Sequence, residues 1–169
     1  SIMEMDLSYV PNLERARDVF IFQCGTGLRY GDIEKISWAN IQNDQVEVST
    51  AKTKRLVRIP LNRYTRFVLE KNKGLDNPIF PYANQVQNRM LKQIGQLLGL
   101  DQQKITTRFV GNKRFDAVKN KYELICTHTA RRTFITLALE RGMRPEVVMR
   151  ITGHTKLSTL QRYIFIADN

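Results

Sequence analysis

Cysteine is scarce in this chain: Cys24 and Cys126 are the only two among 169 residues. They stand too far apart for the paired spacing of a zinc site, and two are too few for the disulfide framework of a small secreted domain. Both lie in apolar surroundings, where a reduced core thiol is expected. Long apolar runs are missing as well. No stretch reaches the roughly 20 residues that cross a bilayer, and no basic segment leads into an apolar one at the N-terminus. A soluble, intracellular protein with no membrane partner is the expectation. The sequence also lacks a Gly-x-x-x-x-Gly-Lys-Ser/Thr loop to cradle nucleotide phosphates and a His-Glu-x-x-His spacing to hold zinc, so no cofactor and no metal is expected. Acidic residues are the last deficit: 16 Asp and Glu face 27 Lys and Arg, a formal charge of +11 spread along the whole chain. A surface this basic favours a polyanion such as nucleic acid.

The length suits one compact domain able to bury its own core. Leu13, Ala16, Val19, Phe20 and Ile21 give Asn12 to Cys24 helical spacing, apolar all round toward its end, which predicts a buried helix closing at Gly25 or Gly27. A short helix over 31–36 follows. Gln45-Val46-Glu47-Val48-Ser49 then alternates with a period of two, and Leu56-Val57-Arg58-Ile59-Pro60 repeats the pattern after the basic loop Lys52-Thr53-Lys54-Arg55, so a β-hairpin is predicted. Helical spacing returns over Leu61 to Lys73, and again from a cap at Asn84 to about Leu98. Residues Asp101 to Tyr122 read as an irregular basic segment with hairpin character around the turn signal Gly111-Asn112-Lys113. Amphipathic helices are predicted over Thr127 to Glu140, from Pro145 to Gly153, and from Lys156 to about Ile166. The result is an α+β chain, mainly helical, with a small antiparallel hairpin.

Several side chains in this layout suit phosphodiester chemistry. His128 and Arg131 are three apart in the first turn of a helix and share a face, beside N–H groups that attract anions. Arg29 follows Thr26-Gly27-Leu28, with Asp32 three residues on; a buried carboxylate there would orient the guanidinium and leave donors free for phosphate. His154 follows Gly153, and Tyr163 lies nine residues beyond that histidine. Each residue also has an ordinary role: a hydrogen-bonding histidine, a surface arginine paired with an acid, a core tyrosine among Leu160, Ile164 and Phe165. Spacing alone does not separate Lys52 from Lys54 in the hairpin loop. The Arg144 to Thr152 segment has helix-turn-helix spacing, but Val147, Val148 and Ile151 read better as core than as base-reading side chains.

In order, Thr26-Gly27-Leu28-Arg29, the hairpin lysine, His128-Thr129-Ala130-Arg131, Gly153-His154 and Tyr163 resemble the catalytic domain of the tyrosine recombinase, or phage integrase, family over nearly the whole chain. The resemblance implies the catalytic-domain fold of that family across residues 1–169, without the N-terminal domain with which such recombinases clamp DNA. It also implies that Tyr163 attacks a scissile phosphate to give a 3′-phosphotyrosine and a free 5′-hydroxyl. Arg29, Arg131 and His154 would stabilise the non-bridging oxygens, Asp32 would hold Arg29, Lys52 would protonate the leaving oxygen, and His128 would accept the tyrosine proton. The implied partners are double-stranded DNA, further protomers in a tetrameric synapse, and DNA-bending accessory proteins; the implied location is the cytoplasm, on the nucleoid. A type IB topoisomerase would share the chemistry. A helix-turn-helix regulator or a basic RNA-binding module would lack it.

Overall fold

The computed structural model describes residues 1–51 and 54–167, with side chains at all of these except 162 and 164–167. Helix α1, Pro11–Thr26, is the spine of the molecule. Proline at its first turn supplies a helical φ and leaves no donor unpaired, and Gly27 ends it in the left-handed conformation, φ 66°. From Val19 to Gln23 every α1 residue is buried, beneath other helices on one side and a cluster shared with a β-sheet on the other. Helix α3 (Arg63–Lys71), α4 (Asn84–Leu97) and α5 (Thr127–Glu140) all pack on it.

Two apolar clusters result. Leu7, Leu13, Ala16, Phe20, Leu91, Ile94 and Ala130 fill the junction of α1, α4 and α5. The larger cluster lies on the other side of α1, against a three-stranded antiparallel sheet of β1 (Ile41–Gln42), β2 (Gln45–Ser49) and β3 (Leu56–Pro60). Val46 pairs with Ile59 and Val48 with Val57, and all four are buried, so one face of the ribbon is core. The β2 and β3 bounds match the alternating runs of the sequence. Strand β1 was not expected; it is two residues long and is joined to β2 through Asn43 and Asp44, both at positive φ, the pattern of a type I′ turn.

The remaining strands and α-helices are α2 (Tyr30–Ile33), β4 (Gln103–Val110), β5 (Lys113–Asn120), α6 (Pro145–Thr152) and α7 (Ser158–Ala167), with short 3₁₀ turns at Trp38–Asn40 and Lys121–Leu124. The segment expected to be irregular is a regular hairpin in full register from Gln103↔Asn120 to Val110↔Lys113. Gly111, at φ 59°, makes its two-residue turn. Asn84 is not a helix cap. Ala83 occupies that position, and the Asn84 carboxamide oxygen instead accepts hydrogen bonds from Thr127 Oγ1, at 3.0 Å, and Asn88. Among the described residues no helix is long and apolar enough to cross a membrane.

Candidate catalytic site

Arg131 is the centre of the arrangement. The residue is 4% exposed, and its guanidinium donates from Nη1 to the Gly27 carbonyl at 2.9 Å and from Nη2 to the Thr152 carbonyl. Both acceptors are carbonyls at helix C-termini, those of α1 and α6, where partial negative charge collects and intrahelical partners run out. The αL glycines 27 and 153 make those ends turn sharply. Gly27 is also required by space: a Cβ there would stand 2.3 Å from Phe134 Cδ1 of α5. The first arginine motif and the His-x-x-Arg helix are therefore held together through one bond and one close contact.

Burial, then the nearby charge of Arg29, lowers the Arg131 pKa to about 10, while Asp32 and Tyr163 pull it the other way. Arg131 remains a cation at neutral pH, and Arg29, Asp32 and Tyr163 all lie within electrostatic reach of it. Arg29 stands at the turn into α2, half-buried, with Nη1 enclosed and without a hydrogen-bond partner. A cation with an unused buried donor, within electrostatic reach of a second cation, is chemically suited to an anion.

Asp32 does not hold Arg29 as expected. The two form no ion pair; Asp32 Oδ1 instead accepts the Ala51 backbone N–H at 2.9 Å, and Oδ2 has no hydrogen-bond partner. A carboxylate in the first turn of a short helix thus anchors the start of the β2–β3 loop. Lys52 itself, the expected general acid, lies outside the described residues. Lys54 is described and exposed, at φ 50°.

His128 and Arg131 share a helix but not an environment: His128 is exposed and Arg131 buried. Exposure suits His128 to a ligand that arrives from solvent. His154 is half-buried, with its N–H on the Met149 carbonyl and its Nδ1 2.7 Å from Thr152 Oγ1. Tyr163, on α7, is 7% exposed and packs in the larger core cluster. It takes the ordinary role of a core tyrosine and lies within electrostatic reach of Arg131. Among the described residues no group of three or more His, Cys, Asp or Glu is arranged to hold a metal ion.

Sequence reasoning missed Thr152 and the Ala51 backbone. Thr152 is 1% exposed and touches both Arg131 and His154. Its only sequence signal is a buried-type position two residues before a histidine, across a glycine. Outside the cluster, the β4–β5 register places Lys104, Arg108, Lys113 and Lys119 on one face of that hairpin, together with Phe115 and without a carboxylate.

Solved structures with a similar fold include a XerH site-specific recombinase bound to a palindromic difH substrate, 16% identical, TM-score 0.61, covering 97% of this chain and 45% of that one. A lambda integrase dimer bound to a COC′ core site is 16% identical, TM-score 0.63, over 92% of this chain and 56% of that one. The Tn1549 transposon integrase in complex with a circular intermediate DNA is 18% identical, TM-score 0.67, over 95% and 56%. This chain spans about half the length of each. No curated protein matches it significantly. Likeness at such identities speaks to the fold, but the sequence matches the phage integrase family across residues 1–169, the span that carries both arginine motifs and Tyr163, and the chain belongs to that family.

Proposed function

We propose that this domain breaks and rejoins DNA strands as the catalytic part of a site-specific recombinase, through Tyr163. The carrying observation is the buried Arg131, tied to the ends of α1 and α6, with Arg29, Asp32 and Tyr163 within electrostatic reach. A tyrosine hydroxyl with an ordinary pKa of about 10 is a weak nucleophile, so the phosphate it attacks must be strongly polarised. Two arginines within electrostatic reach of each other supply that polarisation. In the attack the Tyr163 oxygen bonds to phosphorus and the bond to the 5′-oxygen breaks, leaving a 3′-phosphotyrosine and, after proton transfer, a 5′-hydroxyl. The charge gathering on the non-bridging oxygens is met by Arg29, Arg131 and His154.

His128, exposed at the start of α5, accepts the tyrosine proton in this reading, and Lys52 gives a proton to the leaving oxygen. Asp32 acts by anchoring the loop that carries Lys52. A second 5′-hydroxyl then attacks the phosphotyrosine, so bond energy is conserved and no nucleotide is consumed. The partner is double-stranded DNA: the charge of +11 and the cationic β4–β5 face support it, and the similar XerH, lambda and Tn1549 structures are all complexes with DNA. Exchange between two duplexes needs further protomers, four in a complete synapse, and DNA-bending proteins would assist it on the nucleoid.

The test is covalent capture on a nicked suicide substrate, read by denaturing electrophoresis. The protein should form an adduct and Tyr163→Phe should form none while binding DNA as before. An adduct that survives in the Phe variant removes Tyr163 from the mechanism. An intact strand-exchange product between two sites, rather than supercoil relaxation alone, separates a recombinase from a topoisomerase.

A further inference from the structure

Thr152 Oγ1 lies 2.6 Å from the Val148 carbonyl oxygen and 2.7 Å from His154 Nδ1. A threonine hydroxyl has one proton to give and a carbonyl has none. At 2.6 Å the proton of that pair lies between hydroxyl and carbonyl, so Oγ1 turns its lone pairs to the imidazole. The contact with His154 then requires a proton on Nδ1. We propose that Thr152 is a positioning residue that fixes the neutral His154 ring as its Nδ1–H tautomer, so that Nε2 carries a proton only when the ring is an imidazolium.

The backbone allows little alternative. Gly153, at φ 66° and ψ 33°, ends α6, and the His154 N–H is bound to the Met149 carbonyl, so the ring is brought back over the last turn of its own helix. Thr152 is 1% exposed, so bulk solvent does not reach Oγ1. The same residue gives its carbonyl to Arg131. One threonine therefore sets the place of a guanidinium through its backbone and the proton of an imidazole through its side chain.

The consequence rests on the reading of His154 as a ligand of a non-bridging phosphate oxygen. An oxygen of that kind needs a donor. With Nδ1–H committed to Thr152, the neutral ring offers a lone pair at Nε2, and only the imidazolium offers N–H. The His154 contribution to cleavage is thus present below the ring's pKa and lost as pH rises through it. Arg55, Glu146 and Arg150 line the open cavity of about 360 Å³ that His154 shares with β3 and α6, and Arg131 approaches through the Thr152 carbonyl, with Arg29, Asp32 and Tyr163 beyond it.

The experiment has two arms. Imidazole nitrogens are read by two-bond ¹H–¹⁵N correlation spectra of the ¹⁵N-labelled protein; with only two histidines in the chain, H154Q assigns the rings. Above the ring's pKa the wild-type His154 should show a protonated Nδ1. Thr152→Val, of the same shape but without an acceptor, should move the ring toward Nε2–H, and Thr152→Ser should restore Nδ1–H. A wild-type ring that is Nε2–H overturns the proposal, and that spectrum needs no variant to fold. In the second arm, single-turnover cleavage is compared across pH. The ratio of wild-type to Thr152→Val rates should fall about tenfold per pH unit above the ring's pKa, since the variant's neutral ring can still donate. A ratio independent of pH overturns the imidazolium requirement. Absence of any adduct from the wild type, with the Nδ1–H tautomer observed, would instead defeat the recombinase reading and leave the Thr152 assignment standing.

Discussion

The protein contains two antiparallel ribbons that fare differently. In β2–β3 every second residue is buried, and Val46, Val48, Val57 and Ile59 sit in the larger core. In β4–β5 neither face is covered: Ile105 is 73% exposed, Phe109 66% and Val118 61%. Burying one valine or isoleucine contributes about 1.5–3 kcal/mol, whereas a cross-strand pair on an open face contributes about 0.2–1 kcal/mol. The first ribbon is therefore held by what lies beneath it. The second is held by its own ladder, by Thr107 and Arg114 on Asp116, and by its base, where Lys121 and Tyr122 donate to the Gln102 and Leu100 carbonyls. Polar alternation in a strand thus reports pleating, and burial is decided by whether a second layer exists.

The contrast is broken most strongly from the buried side. Ile59→Ala should destabilise the domain by about 2–5 kcal/mol, since it opens a cavity in a core that includes Val46 and Val48. Urea unfolding monitored by circular dichroism measures it; a loss under about 1 kcal/mol would mean that the sheet does not share the helical core. Next comes Arg131→Ala, which should slow single-turnover cleavage by roughly 10²–10³-fold, the usual effect of removing one transition-state donor. Wild-type cleavage by this variant would reduce Arg131 to a tie between Gly27 and Thr152.

The exposed ribbon should show the opposite profile. Changing Lys104, Arg108, Lys113 and Lys119 together to Gln should leave the unfolding midpoint and cleavage at saturating DNA nearly unchanged. The same change should flatten the dependence of log affinity on log salt by about 0.9 for each DNA phosphate that is no longer neutralised. An unaltered slope would take that face off the DNA. The smallest effect is expected for Ile105→Ala, within about 0.5 kcal/mol of wild type in the same urea experiment, as for other surface changes. A loss comparable to that of Ile59→Ala would show that the ribbon is covered in solution.

How legible each part was follows from how local its cause is. Helix α5 and strands β2 and β3 were read at their true bounds because periodicity and flanking glycine or proline are properties of the segment itself. The two residues of β1 were too few to carry a period. Asn84 looked like a cap because nothing local reveals that Thr127 competes for its side chain. The Arg29 and Asp32 pairing failed for the same reason: three residues of separation fit an ion pair, but a backbone N–H from Ala51, distant in sequence, reached the carboxylate instead.

By itself the sequence determined the order and type of the main elements, the excess of cations, and the motifs that resemble a phosphodiester site, since hydrophobic period, charge and motif spacing are all written along the chain. Tertiary structure alone decided which of the motif residues are buried and what each one touches. Arg131 became the centre because the ends of α1 and α6 present carbonyls to it in the interior, where an unpaired guanidinium would be costly. Thr152 became a partner of His154 because Gly153 folds the chain back on its own helix. Contacts of this kind join residues whose spacing carries no period, so only packing can assign them.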